Sequence, residues 1–118
     1  MKKLKVLLHV NENDRWKVAL GNAENVLKSV GEEGADIVII GNGESVISYE
    51  QSPLLDTMKA LAEKGVTFLA CRNSMKKMKE VGKISITEDQ LPAFVRIVPA
   101  GIVAIIEKQN EGYAYVKP

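Results

Sequence analysis

Short apolar runs alternate with amphipathic stretches along this chain. Leu4 to Val10 is rich in Val and Leu and reads as a strand. Trp16, Ala19, Leu20, Ala23, Val26, Leu27 and Val30 then fall on one face at helical spacing. Asn13 stands where a cap opens that helix, and Gly31 and Gly34 stop it. Ala35 to Ile40 is continuously apolar after Asp36, the pattern of a strand covered on both faces. Gly41-Asn42-Gly43 breaks that strand, and Val46 to Tyr49 is ambiguous, with a short helix as its reading. Ser52-Pro53 opens a helix whose buried face is Leu54, Leu55, Met58, Leu61 and Ala62, and Gly65 ends it.

Val66 to Ala70 is a third strand. Met75, Met78 and Val81 predict a short helix capped by Asn73 or Ser74, and Thr87-Glu-Asp-Gln90 reads as a capping box opening another. Val95 to Val98 is a fourth strand. Gly101 to Gln109 is a helix with a nearly all-apolar first half, which predicts a buried start. Gly112 terminates it, and Tyr113 to Val116 is a last short strand. Strands thus alternate with helices, the signature of an α/β sandwich around a mostly parallel sheet. Right-handed crossovers are expected to place helices on both faces.

The chain has 118 residues, which predicts one domain over 1–118. Hydrophobic residues are 46% and charged residues 26%, so disorder, collagen and coiled coil are excluded. The formal net charge of +1 gives no global argument for nucleic acid or a membrane surface as partner. The N-terminal apolar run is too short for a leader and carries Lys5 and His9, so the expected location is cytoplasmic.

One cysteine and one histidine narrow the chemistry further. No disulfide within the chain is possible, and a Cys/His metal site would need ligands from elsewhere, so no metal or cofactor is expected. No hydrolase or oxidoreductase site stands out. In sheets of this kind functional residues gather at the carboxyl ends of the strands, here His9 to Asn13, Gly41 to Ser45, Cys71 to Ser74 and Pro99 to Gly101. Both Cys71 and His9 fall there. A helix start just after Cys71, with Arg72, Lys76, Lys77 and Lys79 nearby, favours a thiolate. The bland alternative is a buried, inert thiol. With no second cysteine, a reactive Cys71 suits group carriage, such as a persulfide, better than a dithiol cycle. His9 is a candidate base or hydrogen-bond partner for it, against the alternative of a histidine packed at a strand end. Gly41-Asn42-Gly43-Glu44-Ser45 lacks a dinucleotide fingerprint or a phosphate-loop lysine and reads as a turn. Trp16, Tyr113 and Tyr115 serve either as core edges or as oligomer contacts.

Three blocks resemble one family. Cys71-Arg72-Asn73-Ser74-Met75 after an apolar strand resembles the C-x-N-[ST]-[LM] motif of the DsrE/DsrF-like family, small single-domain, YchN-like branch. His9-Val-Asn11-Glu12 with Leu20-Gly-Asn22-Ala-Glu-Asn25-Val-Leu27 resembles its first strand and helix. Val98-Pro-Ala-Gly101 with Gln109-Asn-Glu111-Gly112-Tyr113-Ala-Tyr115 resembles its closing helix and strand. The resemblance implies a three-layer α/β/α fold with a five-stranded, mainly parallel sheet. It implies homo-oligomers, commonly trimers or hexamers, and, for the members that act in sulfur relay, a persulfide carried on the cysteine that Cys71 matches.

The expected function is therefore a sulfur carrier exchanging with donor and acceptor proteins. Ser74, Arg72 and nearby amides would stabilise the anion, and His9, Asn11 and Asn73 would line the rim. The rival readings are a small-ligand or nucleotide-binding module and a non-catalytic assembly protein.

Overall fold

The computed structural model describes residues 2–118; Met1, the first residue of the expected domain and of the N-terminal stretch, lies outside them. The elements in chain order are β1 (Leu4–Val10), α1 (Trp16–Val30), β2 (Ala35–Gly41), α2 (Ile47–Glu50), α3 (Leu55–Glu63), β3 (Thr67–Cys71), α4 (Arg72–Glu80), β4 (Val95–Val98), α5 (Gly101–Asn110) and β5 (Ala114–Val116). The fold is α/β, with a five-stranded sheet in the order β4-β3-β2-β1-β5 and every neighbouring pair parallel.

This strand order explains an unequal layering. Steps from β1 to β2, β3 and β4 all move the same way across the sheet, so right-handed crossovers put their helices on one face. There Trp16, Ala19, Leu20 and Ala23 of α1, Tyr49 of α2, Met58 and Leu61 of α3 and Met75 of α4 bury against Leu8, Val10, Ile37, Ile39, Phe68 and Ala70. The return from β4 to β5 crosses to the opposite edge and brings α5 to the other face. Ala104 and Ile105 of α5 cover Leu7, Val38, Ile40 and Leu69. Helices do lie on both faces, but one of those faces has a single helix. No helix among the described residues is long and apolar enough to cross a membrane.

Several local expectations are corrected. Asn13 lies in a 3₁₀ turn, Asn13–Arg15, ahead of α1, and its carboxamide oxygen accepts a hydrogen bond from Ser48 Oγ at 2.9 Å instead of capping α1. Gly31 does end α1, with φ of 80°. Ser52 Oγ accepts from the Leu54 N–H at 3.0 Å, and α3 begins just beyond. The third strand runs one residue further than Val66–Ala70, so Cys71 belongs to it and is itself the cap residue of α4. Asn73 and Ser74 lie inside the first turn of that helix, and Val81 is an exposed residue beyond its end. The capping box at Thr87–Gln90 forms, with the Thr87 N–H donating to Gln90 Oε1 at 2.9 Å, and opens only a 3₁₀ turn. The start of α5 is not sealed: Gly101, Ala104 and Ile105 are buried, but Ile102, Val103 and Ile106 are 63%, 51% and 50% exposed. One helix has only one side against a sheet, and the apolar residues on its other side face outward.

Candidate functional site

β3 and β4 lie side by side with Cys71 paired to Val98, and each runs into a helix at the same end of the sheet. The N-termini of α4 and α5 therefore converge. Cys71 sits at the first of these, in extended conformation with φ of −75° and ψ of 120°. Its Sγ accepts a hydrogen bond from the Gly101 N–H, the first amide of α5, at 3.3 Å. A helix N-terminus carries roughly half a positive charge, so two of them favour an anion here. The side chain is only 5% exposed, and burial alone pushes the Cys71 thiol up. The Ser74 hydroxyl and the backbone amides of Ser74, Gly101 and Asn73 act the other way and win, so the thiol ionises below its ordinary value.

Ser74 is held for this task. Its Oγ accepts from the Gly43 N–H at 2.7 Å, which leaves its own proton free to point at the sulfur. Gly43 has φ of 58°, and a side chain there would also crowd the Asn11 carbonyl oxygen, 3.2 Å from its Cβ position. The glycine lets the loop after β2 approach α4 closely enough to make this bond.

His9 is engaged elsewhere than at the thiol. Nε2 lies 2.8 Å from Asn42 Oδ1 and Nδ1 lies 2.6 Å from the Tyr115 hydroxyl. An amide oxygen only accepts, so Nε2 carries the proton and donates, and Tyr115 O–H donates to Nδ1. Burial lowers the His9 pKa, the Asn42 bond partly offsets this, and the Lys117 charge lowers it further. The ring is thus neutral at neutral pH, with both nitrogens used. His9 is therefore the histidine packed at a strand end that the sequence offered against a direct partnership with Cys71, and its bonds run to Tyr115 and Asn42. A Cβ on Gly101 would lie 3.3 Å from Asn42 Cβ and 3.3 Å from Cys71 Cβ, which places Asn42 at the same junction as the thiol.

The remaining sequence candidates lie further out. Arg72 turns away and makes a two-pronged bond to Glu88, Nε to Oε2 at 2.7 Å and Nη2 to Oε1 at 3.0 Å, so it does not reach the sulfur. Asn11 Oδ1 accepts from Lys117 Nζ at 2.8 Å, and Asn11 touches the rim through its backbone. Asn73 contributes its amide and leaves its side chain exposed. Lys76 and Lys79 line a cleft of about 430 Å³ along α4 with Met75, Ile86 and Glu88, and Cys71 is not part of its lining. Sequence reasoning placed Asn42 and Gly101 in the strand-end segments without giving either a role, and it missed Tyr115 as part of the site. The glycine pair around Asn42 marked a turn, not the side chain between them.

Comparison with known proteins adds three findings. A family model described as the DsrE/DsrF-like family matches residues 5–118. Among curated proteins, none matches the chain. Among solved structures, a protein of unknown function from Methanobacterium thermoautotrophicum is similar, with a TM-score of 0.86 and 24% identity over 98% of this chain and 100% of that one. At that identity the likeness concerns the fold.

Proposed function

The chain belongs to the DsrE/DsrF-like family, a family associated with sulfur relay, and from that premise we propose that it is a small sulfur carrier that holds a persulfide on Cys71. The Cys71 thiolate attacks the outer sulfur of a donor persulfide, R–S–SH. A new S–S bond forms to Cys71, the donor's S–S bond breaks, and R–S⁻ leaves. A thiolate on an acceptor protein then takes the outer sulfur in the same way and returns Cys71 to its thiolate. Sulfane sulfur is passed on and no outside oxidant is consumed.

The observation that supports this reading most is the convergence of two helix N-termini and the Ser74 hydroxyl on one sulfur. The same groups that favour a thiolate favour the leaving thiolate in the second step. The slight exposure of Cys71 suits the holding of a labile sulfur away from stray reductants. A reducing compartment such as the cytoplasm would keep the thiol available.

The test is the intact mass of the protein after incubation with inorganic polysulfide, beside Cys71→Ser. The expected result is a gain of one sulfur atom, reversed by dithiothreitol and absent in the variant. A folded, alkylatable protein that gains none would overturn the reading.

Self-association, in trimers or hexamers, belongs to the same proposal. The outward residues Ile102, Val103 and Ile106 support it, since contiguous exposed apolar side chains on one helix favour a cover. Light scattering of Val103→Asp with Ile106→Asp is expected to show a smaller species than the parent. An identical mass for both would place the subunit contact elsewhere.

A further inference from the structure

Ser45 is a fully buried polar side chain, 0% exposed, in the loop that follows β2. Each of its polar groups is tied within the chain. Its N–H donates to the Asn42 carbonyl at 3.2 Å, and its own carbonyl accepts from the Trp16 indole at 2.9 Å. Its hydroxyl donates to the Val10 carbonyl at 2.6 Å and stands 2.7 Å from the Asn42 carbonyl. Neither carbonyl depends on that hydroxyl. Val10 O already accepts the Asn42 N–H at 3.0 Å, and Asn42 O already accepts the Ser45 N–H. A buried hydroxyl brings a desolvation cost that its bonds only offset, so alanine would serve if filling space were the whole task.

What the hydroxyl adds is a fixed turn. Residues 42–45 are held to the end of β1 through Val10 and to the first turn of α4 through Ser74. On the α4 side the Gly43 N–H donates to Ser74 Oγ at 2.7 Å. Ser74 is partly exposed, so without that bond its hydroxyl has solvent to turn to. With it, the acceptor side of the oxygen is engaged and the proton is left for the Cys71 sulfur. Hydrogen bonds in series strengthen one another, so an N–H donated into the Ser74 oxygen makes its O–H the better donor. The Gly43 amide is two residues from Ser45, and its aim follows the clamp behind it. That clamp sits in a closed niche: a Cβ on Gly41 would lie 3.1 Å from Ser45 Oγ, 3.1 Å from Trp16 Cζ2 and 3.2 Å from Tyr49 Cε2.

We propose that Ser45 is a positioning residue of the thiol site: its buried hydroxyl pins the turn after β2 to the end of β1, and the pinned turn holds the Gly43 N–H on Ser74 so that the Ser74 proton stays turned to the Cys71 sulfur. The inference rests on the carrier reading for what the thiolate does, and not for how the thiolate is held.

The experiment compares the parent chain with Ser45→Ala, Ser74→Ala and the double variant. Thiolate absorbance against pH gives the midpoint of Cys71 ionisation. Alkylation by iodoacetamide gives its rate at neutral pH and on the high-pH plateau. The space a hydroxyl vacates is smaller than a water needs, so Ser45→Ala deletes the bond without a solvent substitute. Its midpoint is expected to move to higher pH and its neutral-pH alkylation to fall about threefold, less than for Ser74→Ala because the bond to sulfur is loosened and not removed. In the double variant Ser45→Ala is expected to add nothing to Ser74→Ala. Gly43→Ala, strained at φ of 58° and crowding the Asn11 carbonyl, disturbs the same amide without touching the niche, and its midpoint is expected to move in the same direction. A merely structural role predicts otherwise: loosening a buried thiol speeds alkylation on the plateau and leaves the midpoint alone. Unmoved midpoints in Ser45→Ala and Gly43→Ala would overturn the inference, as would a Ser45→Ala shift that persists at full size in the Ser74→Ala background. Sulfur uptake from inorganic polysulfide, read by intact mass, is the separate check: a parent that takes up none overturns the carrier and leaves Ser45 to stand on the titration.

Discussion

Truncating Trp16 to alanine is expected to lower the unfolding free energy by about 3–5 kcal/mol, the range for removing a large buried ring. Trp16 is the first residue of α1 and is fully buried. Its ring meets Tyr49 edge-on at 5.1 Å and lies 6.3 Å from Phe68, so it joins α1, α2 and the sheet. The indole N–H also donates to the Ser45 carbonyl at 2.9 Å. Alanine would therefore leave both a cavity and a buried oxygen without its donor. Single domains unfold at about 5–15 kcal/mol, so this one change removes a large share. Urea unfolding is the measurement, with the midpoint falling and the slope unchanged. Trp16→Phe, which keeps most of the ring but not the N–H, is expected to cost less, about 1–3 kcal/mol. A loss below about 1 kcal/mol for the alanine variant would mean that the ring packs less tightly than described. The site is involved too, because the Ser45 hydroxyl donates to Val10 O at 2.6 Å and lies 2.7 Å from Asn42 O, in the loop that carries Asn42.

Ser74→Ala is expected to slow alkylation of Cys71 at neutral pH tenfold or more, since a hydrogen bond to a charged group contributes about 1.5–3 kcal/mol. Its hydroxyl opposes the burial that raises the thiol, and without it burial weighs more. The pH dependence follows from the same balance. In the parent the alkylation rate should climb with pH and level off below the ordinary thiol range, and in Ser74→Ala the climb moves to higher pH. Stability is linked to this ionisation. The folded thiol loses its proton more readily than the unfolded one, so between the two values the unfolded chain binds more protons and stability rises with pH. That contribution is complete above the unfolded value, about 8.5, and is lost as pH falls through the folded one. Equal alkylation profiles for Ser74→Ala and the parent would remove the hydroxyl from the account.

Much of this was legible in the sequence because strands and helices announce themselves by local periodicity. β1 and β4 fall where the apolar runs place them, and the strand ends point to Cys71 and His9. What was not legible depends on which strands are neighbours. Tyr115 meets His9 only because β5 pairs with β1, and Gly101 meets Cys71 only because β4 pairs with β3. Arg72 shows the opposite error: adjacency to Cys71 suggested an anion partner, yet Glu88, sixteen residues on, takes the guanidinium. Asn73 or Ser74 reads as the cap of α4 because oxygen side chains dominate caps, and here Cys71 holds that place without a side-chain cap bond.

β1 lies inside the sheet, yet its neighbour β5 is drawn from more than a hundred residues away, as with Val6 and Ala114. β5 is a three-residue, exposed strand at the edge of the sheet. Local opening of such an edge would leave one side of β1 bare and take the Tyr115 hydroxyl away from His9. The groups around the Cys71 sulfur come from α4 and α5 instead. The histidine end of the site therefore hangs on a pairing that fraying loosens, while the thiol end is anchored by two helices.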